Sequence, residues 1–414
     1  MSSLLLLPSP PSPPTRATLR AAYHATLEPV LQRLSESPDS KLIVALVAPM
    51  TEVQWQPLQS LLAGVYSLIA SLQAKLDTST DVTVIPVQHK YGDKYAADRI
   101  SPPKFSTIRD LGAFSESKHQ GRWKYIFHPS CELGYGVLNT FLETAERTHH
   151  FLQSNIIALP GGISLKEVIQ TPRSDTGPAS ALQKYHTVCL GGTFDHLHVG
   201  HKLLLQGALL MLKVSPRRDN PDPTVLIAGV TGDALLTKKQ FAAELEPWNV
   251  RARAVLSVIA TALAEPLPDT VASDTAEDRK IGDNEEVQAK FDNGSILVRC
   301  VNIPDPFGPT ISEEGCDAIV VSGETRSGGK AINDKRTEKG WRPLDVYEID
   351  VLDATVAEDD DADGSDGSLT RQLKDFSAKI SSTEIRRKTA EARSQSVTNH
   401  ATSHATSHAT NHAS

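Results

Sequence analysis

The residues best placed to do chemistry lie in one stretch, His186 to Leu205, which reads HTVCLGGTFDHLHVGHKLLL. His198 and His201 stand three apart, so a helix would present both imidazoles from one face of its first turn. At a helix start those rings would join free backbone N–H groups and the positive end of the helix dipole, a setting that favours an anion such as phosphate. Gly191 and Gly192, just upstream, would let the backbone approach such a ligand closely.

The elements that must position these residues can be read on either side. An apolar run, Val188 to Leu190, stops at the two glycines, and an apolar-periodic segment, Val199 to Leu212, follows: strand, tight turn, helix. Downstream, Pro223 to Val230, Ile296 to Ile303, Ala318 to Ser322 and Pro343 to Leu352 read as strands, with Pro343 outside the ladder. Arg251 to Ala264 reads as a helix and the acidic stretch Pro266 to Asn293 as an inserted surface loop. Four or five strands joined through helices predict an α/β fold, a Rossmann-like doubly wound parallel sheet with ligands at the strand carboxyl ends.

Upstream, Lys41 to Ala48 (KLIVALVA) is a buried-strand run and Val53 to Leu76 is helical. Further strands are expected at Val82 to Val87, Tyr125 to His128 and Asn155 to Leu159, with a helix over Tyr135 to Phe151. This alternation predicts a smaller α/β N-terminal domain. His89 to Arg122, with Pro102 and Pro103, reads as a long surface excursion. Composition sets the divisions: a disordered Pro-rich lead over 1–17, an N-terminal domain over 18–169, a linker over 170–184, a catalytic domain over 185–393 and a disordered tail over 394–414.

A chain of 414 residues with 22% charged and 39% hydrophobic residues is that of an ordinary globular protein. The formal net charge of -8 argues against a nucleic-acid partner. No apolar run approaches the roughly 18 residues of a membrane span, so no membrane partner is expected. Cys131, Cys189, Cys300 and Cys316 show neither metal spacing nor a disulfide framework and read as reduced thiols. Arg16 and Arg20 hint at a presequence, but the prolines at 8, 10, 11, 13 and 14 would break its helix, which leaves a cytoplasmic location as the expectation.

Three other motifs read as structural. His128 and Cys131 fall where a strand end turns into a helix cap. The acidic run from Glu358, EDDDADGSDGS, lacks the twelfth-position glutamate of a calcium loop and reads as a solvated linker. The repeated HATS of the tail spaces His400, His404, His408 and His412 evenly, in a sequence poor for helix.

GTFDHLHVGH resembles the signature of the HxGH nucleotidyltransferase superfamily. Together with GVTGDALL (Gly229 to Leu236), DPFGPT (Asp305 to Thr310), VSGETRSGG (Val321 to Gly329) and KISSTEIRR (Lys379 to Arg387), it is similar to the eukaryotic type of phosphopantetheine adenylyltransferase over Tyr185 to Arg393. The resemblance implies transfer of the adenylyl group of ATP to 4'-phosphopantetheine, giving dephospho-coenzyme A and pyrophosphate. The nucleophile would be a phosphate oxygen whose second ionisation lies near pH 6, so no general base is needed. The difficulty is electrostatic, and preorganised donors around the α-phosphorus are the expected catalyst.

By the same resemblance, His201 stabilises the transition state, His198 holds the ATP phosphates, and Thr193 contacts both substrates; Thr193 could equally cap the turn. ATP binding is expected from Gly192, Phe194, Gly200, Gly323, Glu324, Thr325, Ser381, Ser382, Thr383 and Arg386. Lys238 or Lys239 would bind the acceptor, with Arg251 and Arg253 in the same basic lining; Asp195 could orient a histidine or, the preferred reading, be an ordinary cap. The bacterial arginine-rich loop is replaced here by Gly323, Glu324 and Thr325, which passes the acceptor clamp to Arg326, Lys330 or Arg336. Mg2+ should arrive with ATP, held by phosphates and water.

Rival readings within the superfamily are a nicotinamide-nucleotide adenylyltransferase and a cytidylyltransferase. From another class comes a catalytically silent scaffold for coenzyme A synthesis. With no G-x-x-x-x-G-K-[ST] sequence for the kinase that acts next, a monofunctional enzyme is expected, one that could join a complex with other enzymes of the pathway.

Overall fold

Continuous apolar runs such as KLIVALVA belong to strands covered on both faces, and the chain builds two sheets from them. The structure, a computed structural model, describes residues 2–37, 40–50, 54–89, 107–117, 123–145, 152–162, 183–214, 222–268, 271, 279–281, 284–323, 325–350, 352 and 382–394. Residues 170–182 of the expected linker over 170–184, the acidic run from Glu358 and the His-containing tail beyond Ser394 lie outside the described residues.

The first sheet is formed by β1 (Ser2–Leu7), β2 (Lys41–Ala48), β3 (Asp81–Gln88), β4 (Arg109–Asp110), β5 (Ile126–Pro129) and β6 (Ile156–Leu159). Its helices are α1 (Arg16–Ser35), α2 (Trp55–Leu76), the short α3 (Leu111–Ser115) and α4 (Glu132–Ala145). The strands run parallel in the order β4-β3-β2-β1-β5-β6. The expectation of a disordered lead over 1–17 is therefore corrected. Ser2–Leu7 is a central strand, paired with β2 and β5, and Leu4 to Leu7 are fully buried. Four leucines beside a proline cluster carry no periodicity, and only the partner strands, distant in sequence, make them a strand. After β1 the chain is tied down at once: the Tyr23 hydroxyl donates to the Pro8 carbonyl, and Thr15 caps α1 by accepting from the Thr18 N–H. The expected surface excursion also holds structure, in β4 and α3.

The second sheet contains β7 (Thr187–Gly192), β8 (Thr224–Thr231), β9 (Arg279–Ile281), β10 (Asn284–Phe291), β11 (Ile296–Ile303), β12 (Ala318–Ser322) and β13 (Asp345–Ile349). Its order is β13-β12-β7-β8-β11-β10-β9. The five strands from β13 to β11 are parallel, and β10 and β9 add an antiparallel edge. That edge corrects the surface-loop expectation for 266–293, where buried Val287, Ala289 and Phe291 alternate with exposed Gln288 and Lys290 at the period of a strand. Around the sheet lie α5 (Val199–Met211), α6 (Trp248–Ala262), the one-turn α7 (Pro309–Ser312), α8 (Arg326–Glu338) and α9 (residues 382–394).

The doubly wound, Rossmann-like topology fixes where a ligand can go. Strand order reverses at β7, which has β8 on one side and β12 on the other, so the crevice opens at the carboxyl ends of β7 and β12. Behind it, α5 is apolar nearly all round because it is covered on both sides. Leu203, Leu205 and Leu209 share one apolar cluster with Leu62, Val65 and Ile69 of α2. Among the described residues, no helix is long and apolar enough to cross a membrane.

Candidate active site

The site is built by the turn between β7 and α5. Phe194 and His196 both adopt left-handed backbone, with φ of 51° and 43°, which costs a non-glycine residue of order 1–3 kcal/mol and persists only where surroundings enforce it. The enforcement is visible. The His196 N–H donates to Glu246 Oε2 at 2.8 Å, its Nε2 meets the Glu244 carbonyl at 2.7 Å, and Asp195 Oδ1 accepts from the Glu246 N–H at 2.9 Å. Arg251, fully buried at the start of α6, donates to the carbonyls of Glu246, Thr193 and Thr231 and to Asp233 Oδ1. This corrects its expected place in a basic lining: Arg251 is a strut between the turn and the end of β8.

His198 is the N-cap of α5. Its Nδ1 accepts from the Gly200 N–H at 3.2 Å, so its proton sits on Nε2, which is left to donate. Gly200 makes this possible, since a Cβ there would stand 3.1 Å from the His198 ring. The His198 and His201 rings stack with centroids 4.0 Å apart, and Phe194 leans on His201 at 5.4 Å. A Cβ at Gly192 would meet the Phe194 ring at 3.1 Å. Burial pushes the His198 pKa down to about 4 against the favourable charge of Asp195, and burial together with His198 holds His201 well below the ordinary range. Both imidazoles are therefore neutral at pH 7. The buried His201 Nδ1 has no hydrogen-bond partner among the described residues. Thr193 does not cap the helix. Its carbonyl is held by Arg251, and no described group bonds its hydroxyl.

The late motif reaches this turn from almost two hundred residues away. Arg386 of α9 donates through Nη1 to Asp195 Oδ2 at 2.5 Å, through Nε to the Gln240 carbonyl at 3.1 Å and through Nη2 to Thr383 Oγ1 at 3.0 Å. The side chains of Asp195 and Arg386 are 0% and 3% exposed. Asp195, expected to be an ordinary cap, is thus the anchor for α9. Arg386, expected on ATP, is spent on Asp195. Ser382 and Thr383 open α9 beside that anchor, while Ser381 lies outside the described residues.

The remaining candidates divide. Lys238 and Lys239 are exposed, in the turn leading to Gln240, the residue that also receives Arg386. At the end of β12, Gly323 follows Ser322, and Thr325 Oγ1 accepts from the Ser322 N–H at 3.0 Å; Glu324 lies outside the described residues. Arg326, largely exposed, pairs with Glu348 of β13 at 2.5 and 2.7 Å. Arg336 is excluded as acceptor clamp, since it is fully buried and donates to five carbonyls, those of Thr310, Glu313, Glu314, Cys316 and Arg342. Lys330 is exposed beside Asp334.

A neutral imidazole pair at a helix start, set in the switch-point crevice of a doubly wound sheet, defines a nucleotidyltransferase. The comparisons agree: residues 189–388 match the family described as Cytidylyltransferase-like, and residues 1–165 match a domain of unknown function, DUF8446. A phosphopantetheine adenylyltransferase of Saccharomyces cerevisiae is 29% identical over 288 residues, covering 64% of this chain and 76% of the relative. Those of Thermococcus kodakarensis and Methanothermobacter thermautotrophicus are 30% and 31% identical, over 41% and 42% of this chain and 78% and 77% of their own. The chain belongs to the phosphopantetheine adenylyltransferase family.

Proposed function

We propose that the protein transfers the adenylyl group of ATP to 4'-phosphopantetheine, yielding dephospho-coenzyme A and pyrophosphate in coenzyme A biosynthesis. The observation that carries this reading is the stacked, uncharged His198–His201 pair at the N-terminus of α5, with the Thr193 hydroxyl at the mouth of the turn. His198 Nε2–H and His201 face the triphosphate, and neutral rings impose no charge until the polyanion arrives. Charge then develops on the α-phosphoryl and the departing pyrophosphate, where fixed donors act most strongly because water is excluded. The acceptor phosphate is already a dianion and attacks without a base.

On this reading Gly192, Phe194 and Gly200 shape the nucleotide floor, Ser382 and Thr383 close over the phosphates, and Gly323 to Thr325 approach the nucleotide from β12. Lys238 or Lys239 receives the acceptor phosphate, since both stay exposed beside the α9 docking turn. Mg2+ would arrive with ATP, held by phosphates and water, and would neutralise phosphate charge there. The carboxylate of the turn itself, Asp195, is already committed to Arg386 and the Glu246 N–H, which fits that mode. We place the enzyme in the cytoplasm without a nucleic-acid partner, and the N-terminal sheet is available for association with other enzymes of the pathway.

The test is a panel of ATP with phosphopantetheine, ATP with nicotinamide mononucleotide, and CTP with phosphocholine, followed by pyrophosphate release. Release is expected with the first pair alone. His201→Ala should lower kcat by more than about a hundredfold, the scale for losing one transition-state donor. Turnover of another pair at a higher rate would overturn the assignment.

A further inference from the structure

The edge of β3 carries an unusual arrangement. β3 pairs with β2 along its length but with β4 only at Val87 and Gln88, so among the described residues Asp81 to Pro86 have no strand on their outer side. Outward-facing backbone groups alternate along a strand, and here they fall at Val82, Val84 and Pro86. Proline has no N–H to satisfy. The carbonyls of the other two are met by side chains of the helix that bears the active-site histidines. Lys202 Nζ donates to the Val82 carbonyl at 2.6 Å and also reaches Asp81 Oδ1 and Thr83 Oγ1. Gln206 Nε2 donates to the Val84 carbonyl, and its Oε1 accepts from the Tyr66 hydroxyl at 3.2 Å, which itself accepts from the Val84 N–H at 3.0 Å. Lys202, Gln206 and Tyr66 are all buried.

We propose that the N-terminal unit is an internal brace for the catalytic helix, with Lys202 and Gln206 acting as positioning residues that lock α5 in register against the open edge of β3. Lys202 directly follows His201, and Gln206 lies one turn further along the same face. A purely adhesive interface needs no such polar set. Apolar packing between α2 and α5 allows sliding, whereas a one-to-one match of side-chain donors to backbone acceptors does not, because a misplaced buried donor loses its partner and its hydration together. Neighbouring contacts hold the same alignment. Asp350, just after β13, accepts from Ser60 Oγ at 2.9 Å and donates its N–H to Gln59 Oε1 at 2.9 Å. Gly207 lets α2 come so close that a Cβ there would stand 3.1 Å from Trp55.

The kinetic meaning of the brace rests on the adenylyltransferase reading, but its structural meaning does not, and the experiment separates them. In the full-length chain, Lys202→Met and Gln206→Leu keep side-chain length or bulk and remove the donors, while Lys202→Arg keeps one. Two readouts are taken: kcat and KM for ATP, and the imidazole NMR signals of His198 and His201 without substrate. The expected result is a fall in kcat of about tenfold to a hundredfold, the scale of a sub-ångström to ångström misplacement. KM for ATP should change less than kcat, both ring signals should shift, and Lys202→Arg should recover most of the loss. Folded Lys202→Met and Gln206→Leu chains with wild-type kcat and unmoved ring signals would overturn the brace. A fall in activity that only tracks the folded fraction, with the rings unmoved, would overturn it equally. Should both variants fail to fold, Asp81→Asn at the half-exposed end of the cluster must still shift the ring signals, or the proposal falls. An inactive wild type would refute the reaction assigned above and leave the ring signals to decide the brace.

Discussion

Asp195→Asn is the most informative single substitution, because it changes one charge and almost no volume at the joint between the two halves of the site. In the native chain the carboxylate is fully buried, pairs with Arg386 at 2.5 Å and accepts from the Glu246 N–H at 2.9 Å. An amide can still accept from Glu246 through its oxygen, so the turn should survive. The guanidinium loses its countercharge. Leaving a charge buried without its partner costs roughly 3–5 kcal/mol, and α9 can limit that cost by undocking, which carries Ser382 and Thr383 away from the nucleotide. The exposed Arg393–Glu244 pair at 3.1 Å is of the class that contributes under about 1 kcal/mol and would not hold the helix down. A loss of ~3 kcal/mol corresponds to a fall of about a hundredfold in kcat/KM for ATP. Pyrophosphate release at varied ATP measures it, and amide hydrogen exchange over 382–394 reports docking directly. If kcat/KM stays within about threefold of wild type, or the α9 amides remain as protected as before, the latch does not work this way.

Three further outcomes follow from the same geometry. Gly200→Ala should separate activity from stability: alanine gains up to ~1 kcal/mol of helix propensity, yet its Cβ at 3.1 Å displaces the His198 ring, so the thermal midpoint should hold while kcat drops. Arg251→Met strands three carbonyls and should destabilise the fold by about 3 kcal/mol or more, read as an earlier urea midpoint. As for pH, His198 has a folded pKa of about 4 against an ordinary 6.5, so the unfolded chain takes the proton first. Stability is whole above 6.5 and lost as pH falls through that window, by about 2 kcal/mol from His198 between pH 7 and 5. His198→Gln should flatten that part of a urea titration, and a stability curve that rises toward pH 5 would contradict the assignment of neutral rings.

How much of this was legible in the sequence depends on how local each signal is. The strand, the glycine turn and the histidine helix could be read because their periodicity and spacing lie within twenty residues, and the order of elements around them predicted the doubly wound sheet. The lead is not legible as a strand because Leu4 to Leu7 carry no pattern of their own; they are a strand only because β2 and β5 lie alongside. The antiparallel edge is hidden because the charges of β10 outweigh the alternation of Val287, Ala289 and Phe291 in the composition of this stretch. At the site, residue types were informative and pairings were not. Arginine read as substrate-binding at 251, 326, 336 and 386, yet Arg251, Arg336 and Arg386 are buried and spent on carbonyls or Asp195, and Arg326 faces Glu348. A planar guanidinium with five donors serves equally well as a strut or as an anion clamp, and only the position of its acceptors tells them apart. One signal could have been used. Lys202 and Gln206 sit four apart in a helix that is otherwise apolar apart from His201, and two long polar side chains on a face that must be buried imply acceptors on whatever covers it. That face is where the N-terminal sheet arrives, so the polar pair in α5 already announced that the helix carrying His198 and His201 has a second neighbour to hold.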